Sequence, residues 1–83
     1  MSDLDLVDAA WRPWIEDVCA AVGVDPAVVD VHEIHGLTRV IAHEFTRPMA
    51  PVSAYVWGLA RAGHPDADPA ALRAAIVAAI PEA

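Results

Sequence analysis

The sequence predicts an all-α protein, a compact array of about four short helices in a single domain spanning residues 1–83. Apolar residues recur every three or four positions along most of the chain, the spacing of the buried side of an amphipathic helix. Prolines and glycines separate these periodic segments, and no alternation of apolar and polar residues indicates a strand. A chain of this length has room for one modest hydrophobic core.

The first helix is predicted to start at about Pro13 and to end before Gly23, with residues 1–10 as a loose or short helical lead-in. Proline is accepted in the first turn of a helix but costs about 3 kcal/mol in its interior, which places the start there. Glycine can adopt the left-handed conformation that caps many helix ends. The apolar side of this segment carries Trp11, Trp14, Ile15, Val18 and Val22.

The second helix is predicted from about Val31 to Thr46 or Arg47, after a single turn opened by Asp25 and Pro26. Asp30 is the expected N-cap, and Pro48 ends the helix because it disfavours helical geometry at the residue before it. The apolar stripe of this helix comprises Ile34, Leu37, Thr38, Ile41 and Phe45.

Two more helices are predicted after a very short structural turn that contains Pro48, Ala50 and Pro51. The third starts near Pro51, ends at the Gly63 to Pro65 segment and is expected to bury Val52, Tyr55, Val56 and Leu59. The fourth opens with Asp68 as N-cap and Pro69 in its first turn, and runs to about Ile80.

Charge excludes several classes of partner. The protein is acidic, with twelve acidic residues, five arginines and a net charge of −7. Such a balance disfavours nucleic acid, whose phosphates require cationic side chains, and it also disfavours anionic membrane surfaces. The longest apolar stretch, from Met49 to Ala60, is about a dozen residues, whereas a membrane span needs about 20. With 57% hydrophobic residues, we expect apolar surface beyond the core that a protein partner or a second copy covers.

The chain start and the cysteine content favour the cytoplasm. The first five residues are acidic, whereas an export signal begins with a basic segment. The single cysteine, Cys19, can form no internal disulfide, and a small buried helix residue is the expected role for it.

One side of the second helix concentrates basic groups in this acidic protein. Opposite the apolar stripe lie His32, His35, Arg39, His43, Thr46 and Arg47. Such a row could bind a phosphate, a carboxylate or an acidic surface of a partner. Two alternatives are that these residues are solvated, or that His43 and Arg47 complement the helix dipole and bond to the unpaired carbonyls of the last turn.

Neither a metal site nor catalysis is predicted. His32 and His35 lie three residues apart, one fewer than in the zinc-protease pattern, and no third ligand is evident. No cofactor is expected either, since no glycine-rich phosphate loop and no activated nucleophile occur in the sequence. We therefore expect a protein that is not an enzyme.

Trp57 lies off the predicted apolar side of the third helix, with Arg61 one turn further on. It could stack on that guanidinium or pack under a neighbouring helix. It could also be an exposed interface anchor, because tryptophan and arginine are enriched among binding hot spots.

The sequence resembles a small actinobacterial domain family of unknown function, whose members occur alone or fused to molybdenum cofactor guanylyltransferase. The resemblance covers about Trp11 to Ala79 and is carried by the segments Gly23–Pro26, Leu37–His43, Arg47–Pro51 and Gly58–Ala60. Its most specific positions are His43, Arg47, Pro48, Ala50 and Pro51, whereas His32, His35 and Trp57 depart from the family pattern.

Two hypotheses follow. The first is an accessory binding module in molybdenum cofactor biosynthesis, the setting that the resemblance implies, with Arg39, His43 and Arg47 as candidate contacts to the guanylyltransferase or to a phosphate ligand. Trp57 is a further candidate contact on its sequence position alone. The alternative is a structural interaction or dimerisation domain that has no small-molecule ligand and in which Arg47 and His43 bond internally to carbonyls. The exposure of the Arg47 guanidinium distinguishes the two.

Overall fold

The computed structural model describes residues 3–82, with side chains from residue 9 onward. All of the regular structure in this range is helical, which confirms the predicted all-α fold and the predicted number of helices. The four α-helices are α1 Asp3–Val22, α2 Val31–Glu44, α3 Ala50–Gly63 and α4 Pro69–Ala78. Two single-turn 3-10 helices, Pro26–Val28 and Arg47–Met49, precede α2 and α3 respectively.

The first helix is longer than predicted, since α1 is continuous through Pro13. The expected start at that proline was therefore wrong, and residues 3–10 belong to α1, while residues 1 and 2 lie outside the described part. Pro13 removes the donor that would bond to the carbonyl of Ala9, and exposure of Ala9 leaves that segment accessible to water. The predicted end is confirmed, because Gly23 has a φ of 76° and the Val24 amide donates to the Cys19 carbonyl at 2.9 Å.

The described helices form two compact units, the first ending at Glu33 and the second beginning at Ile34. In the first unit, Arg12 joins α1 to the 3-10 helix Pro26–Val28. Its two guanidinium nitrogens donate to the carbonyl oxygens of Pro26 and Val29, each at 3.2 Å. Two carbonyls of an irregular segment thus share one planar donor group.

We expect Arg12→Ala to lower the free energy of unfolding by about 1–3 kcal/mol, because it leaves both carbonyls without their charged donor. Arg12→Lys should restore only part of the loss, since an ammonium group lacks the planar fork that reaches two acceptors. Denaturant unfolding followed by far-UV circular dichroism measures both effects. Arg39→Ala is the control, because Arg39 is exposed; an equal loss in this control would contradict the bracing role of Arg12.

The core of the second unit lies among α2, α3 and α4. It is centred on Leu37, Ile41 and Trp57, which are 0%, 3% and 2% exposed. The partly buried residues around this centre are Ile34, Leu72, Ile76, Val77 and Ile80. The predicted apolar stripe of α2 supplies Ile34, Leu37 and Ile41 to this core, although Phe45 is 48% exposed.

The third helix faces its core with the side opposite to the predicted one. Its buried residues are Ala50, Ser53 and Trp57. The four residues expected inside are all exposed: Val52, Tyr55, Val56 and Leu59. Periodicity favoured the side that has four large apolar residues, but the indole ring of Trp57 occupies the core alongside the small residues Ala50 and Ser53 of its own side.

The turn between α2 and α3 has the predicted prolines but an earlier break. Thr46 is extended, with φ −156° and ψ 138°, so α2 ends at Glu44 rather than at Thr46 or Arg47. Pro48 lies in the first turn of the 3-10 helix and Pro51 in the first turn of α3. Asp68 caps α4 as predicted, accepting from the Ala70 amide at 3.0 Å.

Candidate functional site

The basic side of α2, defined here as Arg39, His43 and Arg47, is exposed along its whole length. The three residues follow one another at intervals of four, the first two on α2 and the third in the 3-10 helix that follows. Among residues 9–82, whose side chains the structure describes, none of the three makes a hydrogen bond, an ion pair or a ring contact. Their cationic and imidazole groups are therefore presented to solvent or to a ligand.

Among residues 9–82, neither His43 nor Arg47 donates a side-chain hydrogen bond to a carbonyl, so the internal bonds expected of a brace are absent there. His43 does lie in the last turn of α2, where a basic group complements the helix dipole. Backbone bonds hold the end of α2, with the Phe45 amide donating to the Ile41 carbonyl at 3.0 Å, and the Met49 amide closes the following turn by donating to the Thr46 carbonyl at 3.1 Å.

The other histidines of α2 differ from His43. His32 is exposed and His35 is half-buried, and each takes part in further interactions of the structure. Thr38 belongs to the predicted apolar stripe, and its hydroxyl donates to the His35 carbonyl at 3.2 Å, a hydrogen bond within the same helix. In the part of the chain that the structure describes, no three His, Cys, Asp or Glu residues are grouped so that they could hold a metal ion.

Trp57 is the residue whose predicted binding role the structure contradicts. Its side chain is 2% exposed, and its indole Nε1 donates to the Pro69 carbonyl oxygen at 3.0 Å. The Arg61 guanidinium lies 4.9 Å from the ring centroid. An exposed interface anchor is excluded in this conformation, and the alternative of packing under a neighbouring helix with an arginine over the ring is confirmed.

Charge is divided unevenly between the two units. Residues 1–33 contain eight acidic residues and one arginine, whereas residues 34–83 contain four acidic residues and four arginines. With histidines neutral, the whole net charge of −7 thus belongs to the first unit. The basic side of α2 lies in the second unit, whose net charge is zero.

Sequence reasoning missed a second surface, the outer face of α3, defined here as Val52, Tyr55, Val56 and Leu59. These side chains are 47%, 69%, 44% and 56% exposed. Composition predicted apolar surface beyond the core, and part of it lies on the predicted apolar side of α1, where Trp11, Trp14, Val18 and Val22 are exposed. The other part lies on α3, which was assigned the wrong orientation. The signal that could have located this surface is Trp57, whose side of the helix must be the buried one if the largest side chain is in the core.

A family model described as "Domain of unknown function (DUF6457)" matches residues 6–83, which is nearly the whole chain. No curated protein and no solved structure matches the chain. Among the helices of residues 3–82, none combines the length and the apolar character needed to cross a membrane.

Proposed function

We propose, from the premise that the chain belongs to the DUF6457 family of domains of unknown function, that it is a non-catalytic binding module. The basic side of α2 is the contact surface, and an acidic or phosphate-bearing partner is the ligand. The observation that carries this proposal is the exposure of Arg39, His43 and Arg47, which make no hydrogen bond, ion pair or ring contact among residues 9–82.

The chemistry of this side suits an extended anionic surface. Guanidinium groups donate two parallel hydrogen bonds to a carboxylate or a phosphate, and an imidazole adds a further donor. Arg39 and His43, four residues apart on α2, are separated by about 6 Å along the helix axis, so these two groups can reach adjacent anionic groups, and Arg47 follows in the next 3-10 helix. An open row of donors favours a protein surface or a diphosphate over a single enclosed small molecule.

The family resemblance supplies the candidate partner. The resemblance implies that similar domains are fused to molybdenum cofactor guanylyltransferase, and we propose on that ground that a separate module acts beside this enzyme in the cytoplasm. In this proposal the module docks on an acidic surface of the guanylyltransferase, or on the phosphates of its guanine nucleotide or pterin ligand.

The test is the double variant Arg39→Ala/Arg47→Ala against the guanylyltransferase of the same genome. We expect its affinity to fall about three- to tenfold, as for two exposed charge contacts, and the affinity of the unaltered protein to fall with added salt. Isothermal titration calorimetry measures the affinity of the double variant and the salt dependence of the unaltered protein. The free energy of unfolding should change by no more than about 0.5 kcal/mol, since both residues are exposed.

Glu44→Gln is the matched control, because it removes an exposed charge of the opposite sign next to the same surface and should not weaken binding. The same titration with guanosine diphosphate and with pterin phosphate separates a protein ligand from a small-molecule ligand. If the unaltered protein binds none of the three, or if the double variant binds equally well, the proposed role of the basic side is wrong.

A second candidate function is a structural interaction or dimerisation domain without a small-molecule ligand. The exposed outer face of α3 favours it, because four large apolar side chains on one helix face lose contact with water when another protein covers them. The two functions use different residues and can coexist.

A further inference from the structure

Exposed apolar side chains lie around Arg47, the last residue of the basic side of α2. Phe45 and Met49 are 48% and 37% exposed, and Pro48, between Arg47 and Met49, is exposed as well. Each is within two residues of Arg47, so its Cα atom lies at most about 7 Å from the Cα atom of Arg47. Phe45, Arg47, Pro48 and Met49 together form what we name the junction surface, since they connect α2 to α3.

The backbone of the junction surface is ordered by its own bonds. The Phe45 amide donates to the Ile41 carbonyl at 3.0 Å. The Met49 amide donates to the Thr46 carbonyl at 3.1 Å, and the ring of Pro48 restricts its own φ. A partner that covers these side chains does not have to order the backbone beneath them, which lowers the entropic cost of binding.

The spacing of the basic groups matches a helix better than a small phosphate ligand. Arg39 and His43 are about 6 Å apart along the axis of α2, and carboxylates four residues apart on a partner helix are separated by the same distance. The two phosphate groups of a diphosphate share one oxygen atom and lie closer together. A row of carboxylates on a helix can therefore pair with successive basic groups, whereas a diphosphate can pair with fewer of them.

We propose that the basic side of α2 and the junction surface together bind an acidic amphipathic helix of a partner protein. This inference rests on the proposed function and deepens it, because it selects a protein partner over a free phosphate. The carboxylates of the partner helix pair with Arg39, His43 and Arg47, and its apolar side chains cover Phe45 and Met49.

Charge complementarity selects the acidic side of this partner, and the junction surface selects its apolar side. An inorganic phosphate gains nothing from an exposed phenyl ring or thioether, whereas an apolar side chain that covers them removes apolar area from water. Methionine adapts its shape to irregular partners, and arginine is enriched among binding hot spots. Met49 and Arg47 thus place both kinds of contact within one short segment.

The two kinds of contact respond differently to salt. Exposed ion pairs weaken as added salt screens them, so the contributions of Arg39 and Arg47 should fall as the salt concentration rises. Apolar contacts do not depend on screening, so the contributions of Phe45 and Met49 should persist. Affinities measured at low and at high salt therefore separate the basic part of the surface from its apolar part.

Titration of the full chain, followed by the NMR shifts of its backbone amides, tests the proposal with three probes. The first is a synthetic peptide of about 20 residues, long enough to form a helix in water, with glutamates on one side and leucines beside them. The second is a scrambled peptide of the same composition, and the third is inorganic pyrophosphate. We expect the amphipathic peptide to bind at least about fivefold more tightly than either of the others, with the largest shifts in residues 39–49.

The Phe45→Ser/Met49→Ser variant should bind the amphipathic peptide at least about fivefold more weakly at both salt concentrations and should bind pyrophosphate as the unaltered chain does. Phe45→Leu/Met49→Leu keeps apolar side chains and should restore most of the affinity. Val56→Ser/Leu59→Ser is the matched control, because these apolar residues of α3 are 44% and 56% exposed and lie outside the proposed surface. Circular dichroism of each variant establishes that the fold is retained.

Two results would overturn this inference while leaving the proposed function in place. One is a scrambled peptide or pyrophosphate that binds as tightly as the amphipathic peptide. The other is a Phe45→Ser/Met49→Ser variant that keeps full affinity for the amphipathic peptide while Arg39→Ala/Arg47→Ala loses it. A chain that binds none of the three probes at about 1 mM also overturns the inference, and the titration with the guanylyltransferase decides the proposed function separately.

Discussion

Replacing Trp57 with alanine is expected to lower the free energy of unfolding by about 3–5 kcal/mol, the range for large aromatic residues in cores. Three contacts are lost together. The indole is 2% exposed in the core of the second unit, its Nε1 donates to the Pro69 carbonyl, and its ring lies under the Arg61 guanidinium. At about 0.05–0.15 kcal/mol per residue, a domain of 83 residues has about 4–12 kcal/mol in total, so the loss removes much of it.

Denaturant unfolding followed by far-UV circular dichroism measures this effect without depending on tryptophan fluorescence. Trp57→Phe should lose less, because the smaller ring keeps most of the apolar contact and gives up the bond to Pro69. Tyr55→Ala is the matched control, since Tyr55 is an aromatic residue of the same helix that is 69% exposed, and it should cost about 0.5 kcal/mol or less. A Tyr55→Ala cost as large as that of Trp57→Ala would mean that the orientation assigned to α3 is wrong.

The elements of this fold were predictable where local chemistry sets them. Asp68 caps α4 by bonding to an amide two residues away, and Gly23 ends α1 by its own backbone conformation. Such signals act within one or two turns, so the sequence contains both partners. The break after α2 was placed two residues late because the extended backbone of Thr46, rather than the restriction imposed by Pro48, ends the helix.

The orientation of α3 and the partner of Arg12 were not predictable in the same way. The outer side of α3 has more large apolar residues than the buried side, and which one is buried depends on the core among α2, α3 and α4. Arg12 bonds to carbonyls 14 and 17 residues away, contacts that exist only after the chain has folded. The sequence offered internal bonding by Arg47 and His43 as one of two hypotheses, since both are near a helix end, whereas the structure gives a bracing role to Arg12.

For the candidate site too, the sequence predicted the local placement of residues but not their tertiary contacts. Spacing alone placed Arg39 and His43 on the side of α2 opposite to Leu37 and Ile41, and the exposure of the first pair and the burial of the second confirm it. Whether those basic groups were already engaged within the protein could not be derived from spacing. Their exposure, and the absence of hydrogen bonds and ion pairs to them among residues 9–82, turns a charge pattern into a testable binding surface.

Replacing Leu37 with alanine is expected to cost about 2–5 kcal/mol, because its side chain is 0% exposed at the centre of the core of the second unit. Leu59→Ala is the matched control, identical in chemistry but at a side chain that is 56% exposed, and it should cost about 0.5 kcal/mol or less in the monomer. Unfolding at a protein concentration of about 10 μM compares the two.

Repeating the Leu59→Ala measurement at a high protein concentration tests the second candidate function, dimerisation through the outer face of α3. Because dimerisation stabilises the folded chain by mass action, the unaltered protein should gain stability as its concentration rises, whereas Leu59→Ala should gain less. The cost of Leu59→Ala should therefore grow with concentration, while the cost of Leu37→Ala should stay nearly constant. If Leu59→Ala is already as costly as Leu37→Ala at about 10 μM, Leu59 is a core residue, and the orientation that exposes the outer face of α3 is wrong.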